Sequence, residues 1–148
     1  MQREITIRPM RFDDLDRVYN LEMELFPNPW PRSFFENDLR LEGSIALVVE
    51  NQSTIIGFTL SSCENDKIHV TNIAVSKEYQ RKGIASWLMR QVEKIALQRH
   101  CSYAYLEVRT NNVAAINLYL NLGYDISYTR KHYYIDGDDA YVMTKELQ

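Results

Sequence analysis

The sequence predicts an α/β fold: a mixed, mostly antiparallel sheet with helices on both faces. Three observations predict it. Alternating segments in the first half are joined by short turns, which implies antiparallel pairing. Two stretches, over residues 84–99 and 112–122, carry apolar residues on a 3.6-residue period and flank a strand-like segment. That strand–helix–strand unit implies a parallel pair with a right-handed crossover.

Each element has a local reason. Ile5 and Ile7 alternate with polar neighbours, as in a short strand. Asp13 or Asp14 can cap a helix whose apolar positions are Leu15, Val18, Leu21 and Leu25. The segment Pro27-Asn28-Pro29-Trp30-Pro31 stops that helix. Ser33 can cap a short second helix carrying Phe34, Phe35 and Leu39. Residues 45–50 and 54–61 read as a hairpin turning at Asn51-Gln52-Ser53, and Lys67–Val75 as a further strand. In the helix over 84–99, Ile84, Trp87, Leu88, Val92, Ile95 and Ala96 form one stripe. A strand over 103–108 and a helix over 112–122 follow, with Gly123 as its C-terminal stop. Strands over 125–129 and 140–144 complete the pattern, separated by the turn-rich Asp136-Gly137-Asp138. No Pro/Gly/Ser-rich linker or repeat interrupts it, so residues 1–148 read as one domain.

Composition narrows the function classes. Lys plus Arg is 17 and Asp plus Glu is 20, a net charge of −3. Nucleic-acid binders usually carry a basic excess, so direct nucleic-acid binding is disfavoured. Two cysteines are too few for a disulfide framework, and His69, His100 and His132 show no metal spacing, so no metal is expected. Cys63 and Cys101 read as small buried hydrophobes. No apolar run approaches the roughly 20 residues needed to span a membrane. The start, Met1-Gln2-Arg3-Glu4-Ile5, is charged and alternating, unlike a signal peptide. A cytoplasmic protein with no membrane partner is expected. Tyrosine is abundant, at ten residues.

The most informative stretch is Asn72-Ile73-Ala74-Val75 followed by Gln80-Arg81-Lys82-Gly83-Ile84-Ala85-Ser86. A strand ends, a short basic loop follows, and a glycine opens a long helix. Free N–H groups and the dipole at a helix start favour an anion there. Gly83 and Ala85 lack bulk, so a pyrophosphate could approach the backbone; Arg81 and Lys82 add positive charge. Neither a P-loop nor a Gly-x-Gly-x-x-Gly fingerprint is present.

The stretch Gln80-x-x-Gly83-x-Ala85 resembles motif A of the GCN5-related N-acetyltransferases, abbreviated GNAT. Two more segments carry the resemblance. One is Leu106-Glu107-Val108-Arg109 followed by Asn111-Asn112-x-Ala114-Ala115-Ile116-x-Leu118-Tyr119. The other is Leu122-Gly123-Tyr124. Phe26-Pro27-x-Pro29-Trp30 and Tyr133-Tyr134-x-Asp136-Gly137-x-Asp139-Ala140 resemble the ribosomal-protein alanine N-acetyltransferases and their archaeal N-terminal relatives.

The resemblance implies a GNAT fold and an acetyl-CoA cosubstrate. It implies that Ile73, Ala74 and Val75 hold the pantetheine arm through backbone groups, with the N–H of Val75 or a neighbour as oxyanion donor. Residues 80–86 would hold the pyrophosphate, and Asn112 either the pantetheine or phosphate arm or the cap of its helix. It implies direct transfer to the α-amine of a protein N-terminus, an N-terminal Ala of a ribosomal protein being one such acceptor. Glu107 would be the general base and Tyr119, near the sulfur, the general acid. A carboxylate pairing with Arg109 or Lys131, and a core tyrosine beside Ile116 and Leu120, are the structural alternatives. Phe26, Pro29, Trp30, Tyr133 and Tyr134 could wall a peptide groove. Asp136, Asp138 and Asp139 read as a solvated turn that could attract a basic acceptor. A small-molecule amine acetyltransferase and a non-catalytic CoA-binding module are the competing functions.

Overall fold

A computed structural model describes residues 4–148; the first three residues of the charged start lie outside them. Seven strands and four helices follow in the predicted order. They are β1 (Ile5–Pro9), α1 (Leu15–Leu25), α2 (Arg32–Leu39), β2 (Ser44–Asn51), β3 (Thr54–Glu64) and β4 (Lys67–Val75), then α3 (Ile84–Gln98), β5 (Tyr103–Arg109), α4 (Val113–Asn121), β6 (Asp125–Arg130) and β7 (Ala140–Glu146). The strands form one sheet in the order β1-β2-β3-β4-β5-β7-β6. Among the described residues only β4 and β5 pair in parallel; every other neighbouring pair is antiparallel.

Strand alternation splits the core into two layers. Ala46, Val48, Ile55, Phe58 and Leu60 face α1 and α2, where Leu15, Val18, Leu21 and Phe35 complete a cluster. Ile45, Leu47, Val49, Ile68 and Val70 face the other way, against Leu88, Met89, Val92 and Ala96 of α3 and Tyr119 of α4. The β2–β3 hairpin turns through Gln52 and Ser53, both at positive φ (50° and 73°), as a two-residue type I′ turn requires. Among the described residues no helix is long and apolar enough to cross a membrane.

Three local expectations are corrected. Asp14 does not cap α1 with its side chain. Its carboxylate is buried and accepts two bonds from Arg8, both 2.8 Å, and one from the Arg11 N–H, 2.7 Å. The Arg8 guanidinium holds its pKa down to about 2. Ser33 is not a cap either: α2 begins at Arg32, and the N-cap is Pro31, extended (φ −67°, ψ 155°), whose carbonyl accepts from the Phe34 N–H at 3.0 Å. Cys101 is buried but Cys63 is only half-buried, with the two sulfurs 3.0 Å apart.

Gly43 precedes β2 where the chain crosses the end of β3. Its carbonyl accepts from the Cys63 N–H at 2.7 Å. A Cβ there would overlap the Cys63 carbonyl oxygen. Gly43→Ala is expected to cost about 1–3 kcal/mol, read as a lower urea midpoint at unchanged slope. An unchanged midpoint would contradict this close approach.

Candidate active site

β4 and β5 share a register from Lys67↔Tyr103 to Val70↔Leu106 and then part. β4 runs on to Val75 and β5 to Arg109, so beyond Val70 no strand pairs with the β5-facing edge of β4. A bulge accompanies the parting. Opposite β3, Leu60 pairs with Asn72 but Ser61 pairs with Val70, leaving Thr71 as an extra residue. One inserted residue reverses which face later side chains take. His69 and Asn72 therefore share the α1/α2 face although three positions apart. Tyr105, Glu107 and Arg109 alternate onto that same face, while Ala104, Leu106 and Val108 enter the opposite core layer.

Glu107 sits where the strands separate, its side chain only 9% exposed. His69 Nε2 donates to Oε1 at 2.6 Å, and Arg130 Nε lies 4.0 Å from Oε2. The expected partners, Arg109 and Lys131, are not the ones found: Arg109 turns to Asp136 and Asp138 instead. The His69 ring stacks on Tyr105, centroids 4.4 Å apart and planes 2° from parallel. Above them on α2 lies Asp38, buried, with Oδ2 unpartnered among the described residues. Burial pushes its pKa up to about 6 against the pull of His69.

Tyr119 projects from α4 into the α3/α4 layer and is 7% exposed. Its ring meets Tyr124 edge-on at 6.1 Å. Burial, then the nearby Tyr134, push its phenol well above the ordinary tyrosine range, so it keeps its proton. It is a core tyrosine that keeps its phenolic proton.

The basic loop has the backbone its sequence suggests. Gly83 has φ of 83° and precedes α3 with nothing within 4 Å of where a Cβ would stand. The first helical bond runs from the Trp87 N–H to the Gly83 carbonyl. The N–H groups of Ile84, Ala85 and Ser86 have no acceptor within the helix, as at any helix start. The Ile84 side chain turns into the core. Gln80 is engaged internally: its Nε2 donates to the Val75 carbonyl at 2.9 Å and ties the loop to the end of β4. Arg81 and Lys82 are exposed, with Lys82 lying over the Tyr79 ring. Asn112 caps α4, its Oδ1 accepting from the Ala115 N–H at 3.2 Å.

On the other face, the 27–31 segment is anchored by a residue that sequence reading passed over. Glu22 is 2% exposed and accepts from the Trp30 N–H (3.0 Å) and from Asn72 Nδ2 (2.7 Å). Burial raises its pKa, and the two hydrogen bonds oppose that rise. Its signal was readable: an acid seven residues after Leu15 and four after Val18 falls on the buried stripe of α1. Phe26 is half-buried, and Trp30 is 42% exposed and stacks on Phe34 at 4.4 Å. From β6–β7, Tyr133 and Tyr134 come close enough to Glu107 that its charge helps raise both phenols, after burial as the larger cause. The places of His69, Asp38 and Arg130, and the bond from Asn72 to Glu22, were likewise missed, because each is defined by a residue distant in sequence.

The sequence profile of the Acetyltransferase (GNAT) family matches residues 15–124. The chain is 33% identical to the putative [ribosomal protein bS18]-alanine N-acetyltransferase of Bacillus subtilis, over 97% of this chain and 96% of that one. It is 32% identical to the N-alpha-acetyltransferase of Saccharolobus solfataricus, over 98% and 95%. The crystal structure of the ribosomal-protein-S18-alanine N-acetyltransferase from Escherichia coli superposes with a TM-score of 0.90 at 28% identity, over 97% of this chain and 94% of that one. With a parted β4–β5 pair and a glycine-opened helix beside it, the chain belongs to the GNAT acetyltransferase family.

Proposed function

We propose that the protein moves an acetyl group from acetyl-CoA to the α-amine of a protein N-terminus. The observation that carries this reading is the placement of Glu107. It stands where β5 leaves β4, held by His69, with Tyr133 and Tyr134 beside it. The likeness to N-alpha-acetyltransferases supports an α-amine acceptor. The likeness to alanine acetyltransferases of a ribosomal protein supports an N-terminus beginning with Ala. One sheet carries both sides of the site, which supports reading residues 1–148 as a single domain. A cytoplasmic setting fits a ribosomal acceptor.

The residues present fit acetyl-CoA. The open space over Gly83 and the N–H groups of Ile84, Ala85 and Ser86 suit a pyrophosphate, with Arg81 and Lys82 beside them. The unpaired edge at Ile73, Ala74 and Val75 suits the amide-bearing arm. Gln80 acts by fixing the loop, and Asn112 by fixing the start of α4. Bound there, acetyl-CoA supplies the acetyl thioester.

An α-amine has a pKa near 8, so only about a tenth is neutral at pH 7. Glu107 takes the proton that the amine must lose. His69 orients its carboxylate and Arg130 keeps it near an opposite charge. Tyr119 holds a proton on Oη for the sulfur, and burial keeps it there. Phe26, Trp30, Tyr133 and Tyr134 form the walls against which the acceptor lies.

The acceptor class is tested by incubating the protein and acetyl-CoA with peptides starting Ala, Ser, Met or Asp, with lysine, and with polyamines, and locating the acetyl group by mass spectrometry. Acetylation of peptide α-amines, Ala foremost, is expected; polyamine acetylation with silent peptides would overturn the reading. Glu107→Gln is expected to lower kcat/KM about a hundredfold at pH 7 and to recover partly above about pH 9, where the amine is already neutral. An equal loss at every pH would count against a base. Tyr119→Phe is expected to lower kcat with acetyl-CoA affinity retained. Because its phenol is raised, the native alkaline limb should lie above the usual tyrosine value of about 10; unchanged kcat in the variant would remove Tyr119 as the acid.

A further inference from the structure

We propose that Arg109 is a positioning residue that fixes the tyrosine wall of the acceptor groove relative to Glu107. The inference rests on the reading of Tyr133 and Tyr134 as that wall. β5, β6 and β7 end at one level: Arg109 pairs with Ala140, and Ala140 with Arg130. Residues 131–139 leave the sheet beyond that level. Strand alternation puts Arg109 on the face of Glu107, two residues on.

The Arg109 side chain spans the loop. Its Nη1 donates to Asp136 (3.0 Å) and to Asp138 Oδ2 (2.9 Å). Its guanidinium carbon lies 4.0 Å from the centroid of the Tyr134 ring. A planar cation can make both contacts together, whereas an ammonium has no flat face to stack. The acids stand on an exposed turn, as their spacing suggested, but they are not unpaired there. Asp136, Asp138 and Asp139 crowd one short segment, and among the described residues Arg109 is the cation that bridges the first two. Hydrogen bonds with Asp138 N–H and Arg109 hold the Asp136 carboxyl below its usual range.

The neighbouring tyrosine is held in a related way. Arg130 lies 5.9 Å from the centroid of Tyr133 and 4.0 Å from Glu107 Oε2. The two loop tyrosines are thus each paired with an arginine from a strand end. The loop also has bonds of its own, from the Tyr134 N–H to the Asp138 carbonyl and from the Gly137 N–H to the Tyr134 carbonyl. Those bonds shape the turn. Arg109 sets where the turn sits on the strand that carries Glu107.

The test uses the full chain as native protein, Arg109→Ala, Arg109→Lys, an Asp136→Asn/Asp138→Asn pair and Tyr134→Ala. Hydrogen exchange over residues 131–139 is followed by mass spectrometry, and KM for an Ala-starting peptide and for acetyl-CoA is measured separately. The loop-side pair lies on an exposed turn and keeps the test open if Arg109→Ala folds poorly. Arg109→Ala and the Asn pair are expected to speed exchange across the loop. They should raise peptide KM about five- to tenfold, as loss of an exposed cation–π contact and ion pair together would, with acetyl-CoA KM unchanged. Arg109→Lys should fall between. Native exchange in both latch variants would overturn the proposal. So would faster exchange with unchanged peptide KM when Tyr134→Ala raises that KM. Unchanged peptide KM in Tyr134→Ala itself would instead remove the groove reading on which the proposal rests.

Discussion

β4 and β5 run together only from Lys67↔Tyr103 to Val70↔Leu106, and the rest of the site depends on their parting after that point. Parallel strands cannot be joined by a tight turn, so α3 must cross between them. That crossover brings a helix start to the end of β4. The parting also leaves Glu107 without a strand neighbour on the β4 side, so its carboxylate is met by side chains. His69, in register with Tyr105 before the bulge, is one of them; the bulge at Thr71 then turns Asn72 to the same face, where it bonds Glu22.

The electrostatics of the site follow from that geometry. The chain carries a net charge of −3, yet positive potential is gathered locally, where the start of α3 stands beside the exposed Arg81 and Lys82. On the opposite face three acids are shielded from water, Glu22 bonded to Asn72 and Trp30, Glu107 to His69 and Asp38 near His69, with Arg109 and Arg130 at the strand ends beside them. In the proposed reaction, an acceptor amine on this side would meet carboxylates, and a pyrophosphate on the other would meet N–H groups and a helix dipole.

Much of the fold was legible because it rests on local rules. The Lys67–Val75 strand, the α3 stripe, the Asn112 cap and the Gly123 stop each follow from residues close in sequence. The basic loop was legible for the same reason. What escaped was decided by side-chain partners that no local rule names. Asp14 looked like a cap but is claimed by Arg8; the alternative pairing of Glu107 with Arg109 or Lys131 gives way to His69; Gln80, read with the pyrophosphate loop, also holds the Val75 carbonyl. The register between parallel strands has no sequence mark, so nothing in the order of residues placed His69 beside Glu107.

In the proposed reaction, thioester and peptide amine meet in the cleft where β4 and β5 part. A conjugate of CoA joined through an acetyl linker to an Ala-starting peptide probes this directly, by calorimetry against CoA and the free peptide. If both halves occupy their sites together, the second binding event is intramolecular, and the conjugate should bind on the order of a hundredfold tighter than CoA alone. A conjugate that binds no tighter than CoA would mean that the two substrates do not share this cleft.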